Sequence, residues 1–147
     1  MSNRISYRCL APDDLGLLLA VPDGVFDKPV DPDQTRAFLA DPGHLIVVAL
    51  WGDEVVGFAS GTVLLHPDKQ PSFFINEVGV RDEWQRQGIG RAVCERLFAE
   101  ARARGCSGGI WLATERDNLS ALALYRAMSG DEAVIVGFAW DGAFDDD

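Results

Sequence analysis

The chain of 147 residues contains only three cysteines, Cys9, Cys94 and Cys106. The count is odd and no two of them form a Cys-x-x-Cys pair, so the sequence predicts neither a disulfide framework nor a zinc site. Cys94 falls on the apolar side of a predicted helix, which favours a place in the core over a role as nucleophile. We therefore expect no metal-binding residues.

The chain also lacks long hydrophobic runs. An apolar run such as Leu45 to Trp51 is far shorter than the roughly 20 residues that span a bilayer. The first residues, Met1 to Ser6, do not contain the apolar stretch of a secretory signal. We therefore expect a cytoplasmic protein that has no membrane partner.

Positive charge is scarce, since 13 lysines and arginines stand against 23 aspartates and glutamates, and the net charge is −10. This excess would repel nucleic acid phosphates, so nucleic acid is not expected as a partner. It is compatible with a cationic substrate, although an acidic surface is usually only a solubility feature. The segment Asp141 to Asp147 carries four of the acids and is either a frayed tail or one wall of a cation-binding cleft.

Length and hydrophobic periodicity predict a single α+β domain covering residues 1–147. Prolines and acids indicate where helices begin, as at Pro12, and glycine indicates where they end, as at Gly105. The predicted order is βααβββαβαβ. The predicted strands are Ile5 to Leu10, Leu45 to Trp51, Glu54 to Leu65, Ser72 to Val80, Gly109 to Thr114 and Ala133 to Trp140. The predicted helices are Pro12 to Ala20, Asp33 to Ala40, Gly88 to Arg104 and Asn118 to Met128.

The segment after the fourth predicted strand has the features of a phosphate-binding loop. A polar turn leads from this strand into the start of a long amphipathic helix. The first turn of a helix presents backbone N–H groups without intrahelical partners and the positive end of the dipole, so it stabilises an anion. Glycines there allow close approach of the backbone, and neighbouring side chains supply further donors. The predicted pyrophosphate-binding residues are Gln85, Arg86, Gln87, Gly88, Ile89, Gly90 and Arg91.

The pattern Gln85-x-x-Gly88-x-Gly90 after a Val-x-Val strand resembles the acetyl-CoA-binding motif of the GNAT N-acetyltransferase superfamily. A second stretch, Asn118 to Tyr125, is similar to the family's second signature, in which an Asn opens a helix and a Tyr follows seven positions later. The resemblance implies the GNAT acyl-CoA N-acyltransferase fold. This fold is an α+β, three-layer arrangement with a mixed central sheet flanked by helices.

The same resemblance implies cofactor contacts beyond the phosphate loop. In the family, acetyl-CoA lies in a gap between two strands, which here end near Val80 and Ala113. Val78, Gly79 and Val80 would offer backbone groups to the pantetheine arm and the thioester, because an exposed strand edge accepts an extended chain through ladder-type hydrogen bonds. Asn118 would cap the fourth helix while its amide touches the cofactor.

Glu77 is the predicted catalytic carboxylate, because it interrupts the otherwise apolar strand that ends at Val80. A charge in a central strand is costly unless it is paired or functional. The functional interpretation is a general base, acting directly or through a water, or an anchor for the ammonium group of a substrate. The alternative is a structural glutamate on a solvated face of the sheet or in an ion pair with an arginine.

Tyr125 occupies a position at helical spacing where an aromatic residue is by default part of the core. The resemblance implies instead a phenol beside the CoA sulfur, which acts as general acid for the leaving thiolate. Amide formation from a thioester needs a carboxylate near the amine, an N–H group near the carbonyl oxygen and an acid for the thiolate, with no covalent enzyme intermediate. Glu77 and Tyr125 are therefore the predicted catalytic pair.

Within the superfamily, the chain most resembles the small aminoglycoside 3-N-acetyltransferases of the gentamicin type, although its N-terminal third matches less clearly. Met128-Ser129-Gly130 departs from the family's common Leu-Gly-Phe. The resemblance implies a polycationic aminoglycoside as substrate, with Glu77 and Asp141 as candidate binding residues. The shared features are Val55 to Gly57, the Gln70-Pro71 turn, the acid at position 77, the phosphate loop, and Ala123 to Tyr125.

The same catalytic parts would suit other acceptors, namely a polyamine, an amino acid or a peptide N-terminus. A noncatalytic acyl-CoA-binding module is a different class of protein, and the presence of both Glu77 and Tyr125 disfavours it without excluding it. Members of the superfamily are often dimers, so a homodimer is possible. The sequence does not indicate which amine of a polyamine substrate reacts.

Overall fold

The computed structural model describes residues 4–145. The chain divides between Ala113 and Thr114 into two compact units. No helix within residues 4–145 combines the length and the apolar character needed to cross a membrane.

The first unit is built on a five-stranded sheet whose strands lie side by side in chain order. The pairs from β1 to β4 are antiparallel and β5 runs parallel to β4, so the sheet is mixed, as predicted. Gly52 has a positive φ of 63° in the tight turn that joins β2 to β3. The strands are β1 (Ile5–Cys9), β2 (His44–Trp51), β3 (Glu54–Leu64), β4 (Ser72–Val80) and β5 (Ile110–Trp111).

Helices begin where proline and side-chain caps favour them. Asp31 precedes α2 and its side chain accepts a hydrogen bond from the Gln34 backbone N–H at 3.0 Å, while Pro32 takes the first helical position. Single-turn 3-10 helices lie at Pro12–Asp14 and Asp82–Trp84. The α-helices are α1 (Leu15–Leu19), α2 (Pro32–Ala40) and α3 (Ile89–Ala103) in the first unit, and α4 (Leu119–Ala127) in the second.

The sheet of the first unit has a core on each face. Helix α3 packs against β2, β3 and β4, and its Val93, Cys94 and Leu97 are fully buried. Burial raises the pKa of the Cys94 thiol to about 12, in agreement with its predicted place in the core. Helices α1 and α2 and the loop between them cover the opposite face. The apolar cluster there consists of Leu18, Val25, Leu39, Ile46, Val48, Leu50, Val55 and Phe58.

The predicted final strand from Ala133 to Trp140 is wrong, because this segment adopts no regular secondary structure. The side chains of Val134, Val136 and Phe138 are more than three-quarters exposed. A short run of apolar and β-branched residues favours a strand, but a strand also needs a neighbouring backbone with which to form a ladder, and the run carries no information about that neighbour. The described elements therefore run βααβββαβα.

Two other predicted elements differ from the structure in type or by more than one residue at an end. The fifth strand is limited to Ile110–Trp111 because only these residues pair with β4, whereas the prediction extended from Gly109 to Thr114. The first helix begins with a 3-10 turn at Pro12–Asp14 before α1. Ends of helices and strands depend on contacts with distant residues, which explains why they are the least accurate part of the prediction.

Candidate active site

A bulge in β4 interrupts its pairing with β3 at the predicted catalytic residue. Ser60 of β3 lies opposite Glu77, and the next residue, Gly61, lies opposite Ile75. Asn76 is therefore the additional residue on β4. A bulge of this kind turns two consecutive side chains towards the same side of a sheet.

The side chain of Asn76 is held by Thr62 on the neighbouring strand. Asn76 Nδ2 donates a hydrogen bond to Thr62 Oγ1 at 2.9 Å, and Asn76 Oδ1 accepts from the same hydroxyl at 3.3 Å. Ser60 and Thr62 are two positions apart on β3, so their side chains lie on the same face of the sheet. Glu77 is paired with Ser60, so its side chain also lies on this face. Asn76 and Glu77 consequently lie side by side.

This face is the one that the α1–α2 loop covers, not the one that α3 covers. Phe58, two positions before Ser60, packs on Phe26 of that loop with the ring centroids 4.2 Å apart. Asn76 and Glu77 lie beyond this contact and are exposed. Within the first unit, the face is thus closed at Phe58 and open at the two polar residues of the bulge.

A close backbone contact holds the α1–α2 loop against β4. A Cβ atom at Gly79 would lie 2.7 Å from the carbonyl oxygen of Val25, so this approach requires glycine. Val25 is buried, and Asp27 follows two residues later. Gly79 therefore has a structural role, in addition to the cofactor contact predicted for it, and it fixes the loop that carries Asp27.

Two effects raise the pKa of Glu77 above the usual value of a glutamate. Burial of part of the side chain is the larger effect, and repulsion from the carboxylate of Asp27 is the second. Within residues 4–145, Glu77 has no ion pair with a basic side chain, so the structural ion-pair alternative does not apply there. A carboxylate in this environment is a stronger base than usual and suits an ammonium group.

The predicted phosphate loop has the backbone geometry that an anion requires. Gly88 precedes α3 with a φ of 81°, and no atom lies within 4 Å of the position that a Cβ would occupy. The Ala92 N–H donates to the Gly88 carbonyl at 3.0 Å, so the N–H groups before it lie at the open end of the helix. Arg86 adopts a φ of 64°, which is unusual for a residue with a side chain. This end of α3 fits a phosphate group through its backbone.

Two side chains of the loop have partners within the protein. The Gln85 amide donates to the Val80 carbonyl at 3.0 Å and to Asp82 Oδ1 at 3.3 Å, so it ties the loop to the end of β4. Arg91 forms an ion pair with Glu95 at 3.3 Å, one helical turn later. Arg86 and Gln87 are exposed, whereas Ile89 is the first residue of α3 and has a buried side chain and an N–H in the first turn. We attribute the fit for an anion chiefly to the backbone.

Strand β4 is paired along only part of one edge. Strand β5 pairs with Phe73 and Phe74 alone, whereas β3 follows β4 as far as Val80. In the first unit, the stretch Val78 to Val80 therefore has a strand on one side only. Backbone groups along such an edge are able to pair with an extended ligand.

The second unit carries the other predicted site residues, Asn118, Tyr125 and Asp141. Asn118 caps α4 as predicted, since its Oδ1 accepts from the Ala121 N–H at 3.2 Å. Tyr125 is half-buried on the last part of α4, and Asp141 is exposed with a φ of 56°. The cofactor, catalytic and substrate roles of these three residues remain predictions.

Two residues of the first unit that lie near Glu77, Asp27 and Asn76, were not predicted from the sequence. Asp27 lies in a stretch rich in glycine, proline and aspartate that has the composition of a surface loop, and no local pattern links it to Glu77. Asn76 did have a signal, because it is a second polar residue beside Glu77 in an apolar strand. Among the described residues, no group of three or more His, Cys, Asp or Glu side chains is arranged to hold a metal ion.

Comparisons with curated proteins identify bacterial acetyltransferases as relatives. The [ribosomal protein bS18]-alanine N-acetyltransferase of Escherichia coli (strain K12) is 40% identical over 58 residues, which is 40% of this chain and 38% of that protein. The N-alpha-acetyltransferase RimI of Mycobacterium tuberculosis (strain ATCC 25618 / H37Rv) is 34% identical over 104 residues, 71% of this chain and 63% of that protein. The matched segments thus span less than two thirds of the length of either relative.

Solved structures share the fold at low sequence identity. An aminoglycoside acetyltransferase, meta-AAC0020, from an uncultured soil metagenomic sample was solved in complex with sisomicin. It has a TM-score of 0.83 at 21% identity, over 93% of this chain and 95% of that one. AAC(6')-Iy in complex with the bisubstrate analogue CoA-S-monomethyl-acetylneamine has a TM-score of 0.78 at 14% identity, over 94% and 98% of the two chains.

A model of the acetyltransferase (GNAT) family matches residues 16–130, which is more than half of the chain. The mixed sheet with its flanking helices has the fold of the solved family members. The chain belongs to the acetyltransferase (GNAT) family and has the GNAT fold.

Proposed function

We propose that this protein is an acetyl-CoA-dependent N-acetyltransferase that transfers an acetyl group directly to a primary amine of a cationic small molecule. The acceptor we propose is the 3-amino group of an aminoglycoside. The observation that supports the proposal best is the environment of Glu77, a carboxylate with a raised pKa on an open face of the sheet, with Asp27 nearby. Such a pair of carboxylates attracts an ammonium group and removes a proton from it.

The donor site proposed here combines the start of α3 with the free edge of β4. Acetyl-CoA supplies the acetyl group as a thioester, and its pyrophosphate would be held by the N–H groups of the first turn after Gly88. The pantetheine arm would pair with β4 between Val78 and Val80, where the edge has no strand in the first unit. Further proposed contacts are Gly79, Gln85, Arg86, Gln87, Ile89, Gly90, Arg91, Asn118 and Tyr125.

The proposed reaction takes two protons from the substrate nitrogen, gives one proton to the leaving thiolate, and replaces the carbon–sulfur bond by a carbon–nitrogen bond. Glu77 takes a proton from the substrate ammonium, and the nitrogen lone pair then attacks the thioester carbonyl carbon. A backbone N–H of the Val78 to Val80 edge stabilises the carbonyl oxygen as it gains negative charge. The carbon–sulfur bond breaks, and the Tyr125 hydroxyl gives its proton to the thiolate. The nitrogen, now positively charged, returns its second proton to the Tyr125 phenolate, and the proton held by Glu77 passes to solvent.

Thiol release from acetyl-CoA by the purified protein tests this function, with gentamicin, kanamycin, spermidine and small amino acids as acceptors. We expect turnover with gentamicin and its loss in the Glu77→Gln variant, which keeps the shape of the side chain but removes the base. If the protein binds acetyl-CoA but releases no thiol with any aminoglycoside, the aminoglycoside acceptor is rejected. Tight CoA binding without transfer to any amine would indicate a noncatalytic acyl-CoA-binding module instead.

The N-terminal amine of a peptide is the second candidate acceptor. The observation that favours it is the 34% identity over 71% of this chain to the N-alpha-acetyltransferase RimI. The same carboxylate and the same donor site would serve this reaction. The acceptor panel should therefore include a peptide that begins with alanine. Turnover of this peptide without turnover of gentamicin would favour the second candidate.

Two further proposals concern organisation. The family match to residues 16–130 extends across both compact units, so we propose that both belong to one acetyltransferase domain. We also propose a homodimer, which light scattering of the purified protein would test, since a mass of one chain would reject it.

A further inference from the structure

We infer that Asn76 determines acceptor specificity: its Oδ1 accepts a hydrogen bond from the reacting nitrogen beside Glu77, so that primary amines are selected over secondary amines. This inference rests on the proposed function. It adds a residue to the acceptor site and defines the class of amine that the site takes.

The position of Asn76 carries the inference. The bulge in β4 places Asn76 and Glu77 on the same face, where both are exposed. Thr62 holds the Asn76 amide through the 2.9 Å bond from Nδ2 and the 3.3 Å bond to Oδ1. A carbonyl oxygen has two lone pairs, and Thr62 takes at most one of those on Oδ1. The second lone pair is an acceptor next to the catalytic carboxylate.

Aromatic rings border the hydrogen-bond acceptor Asn76 Oδ1. Phe74 lies opposite Thr62 in the ladder and contacts Trp111 edge to face, with the ring centroids 4.5 Å apart. Apolar rings next to a polar group reduce competition from water, which strengthens a hydrogen bond made there. The site therefore combines an apolar border with two adjacent hydrogen-bond acceptors, Asn76 and Glu77.

The chemistry of the attacking nitrogen explains the selection. After Glu77 has removed the proton of the ammonium group, a primary amine keeps two N–H bonds and one lone pair. The lone pair attacks the thioester carbon, and the two N–H groups bond to Asn76 Oδ1 and to the unprotonated oxygen of Glu77. A secondary amine has one N–H. One of the two hydrogen-bond acceptors, Asn76 Oδ1 or Glu77, would therefore lose its partner and face a carbon substituent instead.

Matched pairs of acceptors test the inference with the full-length protein. The pairs are gentamicin with its 3-N-methyl derivative, and an alanine peptide with the same peptide beginning in N-methylalanine. For whichever pair the wild type acetylates, we expect a higher kcat/KM for the primary amine than for its N-methylated counterpart. Asn76→Ala should lower this value about tenfold, the effect of one lost hydrogen bond, and leave the value for the methylated amine nearly unchanged.

Two more variants separate a specific effect from a general one. Thr62→Val releases the Asn76 amide, so it should reduce the ratio of the two kcat/KM values while the Kd for CoA stays unchanged. Gln70→Ala removes an exposed amide outside the site and should leave the ratio as in the wild type. An unchanged ratio in Asn76→Ala, with wild-type turnover intact, would overturn the inference alone. Absence of wild-type turnover with both primary amines would overturn the proposed function and the inference together.

Discussion

At the scale of single residues, the surroundings of Glu77 determine its chemistry. Burial of part of its side chain and the nearby Asp27 both raise its pKa. A general base acts only when it is deprotonated, so the proposed activity should appear as the pH rises through the pKa of Glu77. Because that pKa is raised, the acidic limb of the pH profile should lie above the range of an ordinary glutamate.

Replacing Asp27 by asparagine tests the electrostatic part of this account. Asp27→Asn removes the repulsion that disfavours the charged form of Glu77, so the pKa of Glu77 should fall and the acidic limb of kcat/KM should move to lower pH. The pH profile with gentamicin measures the shift. Asp23→Asn is the matched control, because Asp23 belongs to the same loop but does not contribute to the shift of Glu77. Equal profiles for the wild type and Asp27→Asn would contradict the prediction.

The phenol of Tyr125 is the proposed acid for the thiolate. Tyr125→Phe keeps the ring and removes the proton donor, so kcat should fall about 100-fold or more while the Kd for CoA changes little. Steady-state kinetics and calorimetric titration with CoA measure the two quantities. The chain has one other tyrosine, Tyr7 on β1, and Tyr7→Phe should leave kcat unchanged. Full activity in Tyr125→Phe would reject the assignment.

At the scale of elements, the start of α3 makes the proposed phosphate site. Gly88→Val adds a branched side chain at a φ of 81° and in the space that the phosphate would occupy, so binding of CoA should be lost. Calorimetric titration with CoA tests this result. Gly52→Val is the control, since Gly52 also has a positive φ, of 63°, but lies in the β2–β3 turn. If both variants bind CoA as the wild type does, the phosphate site is elsewhere.

The contact between β4 and the α1–α2 loop is the second test at this scale. Gly79→Ala would place a Cβ atom 2.7 Å from the Val25 carbonyl oxygen and 2.9 Å from the Phe58 ring. Overpacking of this kind costs about 1–3 kcal/mol, so the free energy of unfolding in urea should decrease by that amount. Gly16→Ala serves as control, because no atom lies within 4 Å of its added Cβ. A stability equal to that of the wild type would show that the loop does not depend on Gly79.

The elements also show where sequence patterns stop being informative. Strands β2, β3 and β4 agree with the prediction within one residue, since each is a compact apolar run bounded by turn residues. The segment from Ala133 to Trp140 is likewise an apolar run, yet it forms no strand. The difference is that β2, β3 and β4 each pair with a neighbouring strand, and such pairing depends on residues that are distant in sequence.

At the scale of the whole molecule, the net charge of −10 should affect how a polycationic acceptor binds. An acidic protein attracts such a substrate over distances comparable to the Debye length, which shortens with salt. Raising NaCl from about 50 mM to about 300 mM should therefore increase the KM for gentamicin severalfold, with a small change in kcat. A neutral amino acid amide is the control acceptor, and an equal response of both acceptors would exclude a role for the net charge.

The helix start at Gly88, the cap of α4 and the family itself followed from the sequence alone. Each of these depends on consecutive residues, because a helix start, a close-approach glycine and a side-chain cap are local features of the chain. Gly88 and Asn118 were therefore correctly placed before helices without any knowledge of the fold.

The surroundings of Glu77, where we propose that the acceptor binds, were decided by the tertiary structure. Asp27 influences Glu77 only because Gly79 lets the α1–α2 loop lie against β4, and Asn76 faces the same way as Glu77 only because the strand is bulged and Thr62 holds the amide. These relations join residues that are far apart along the chain. Local patterns predict the helix start at which we propose that an anion binds, whereas long-range packing determines which carboxylates and amides lie near one another on the sheet.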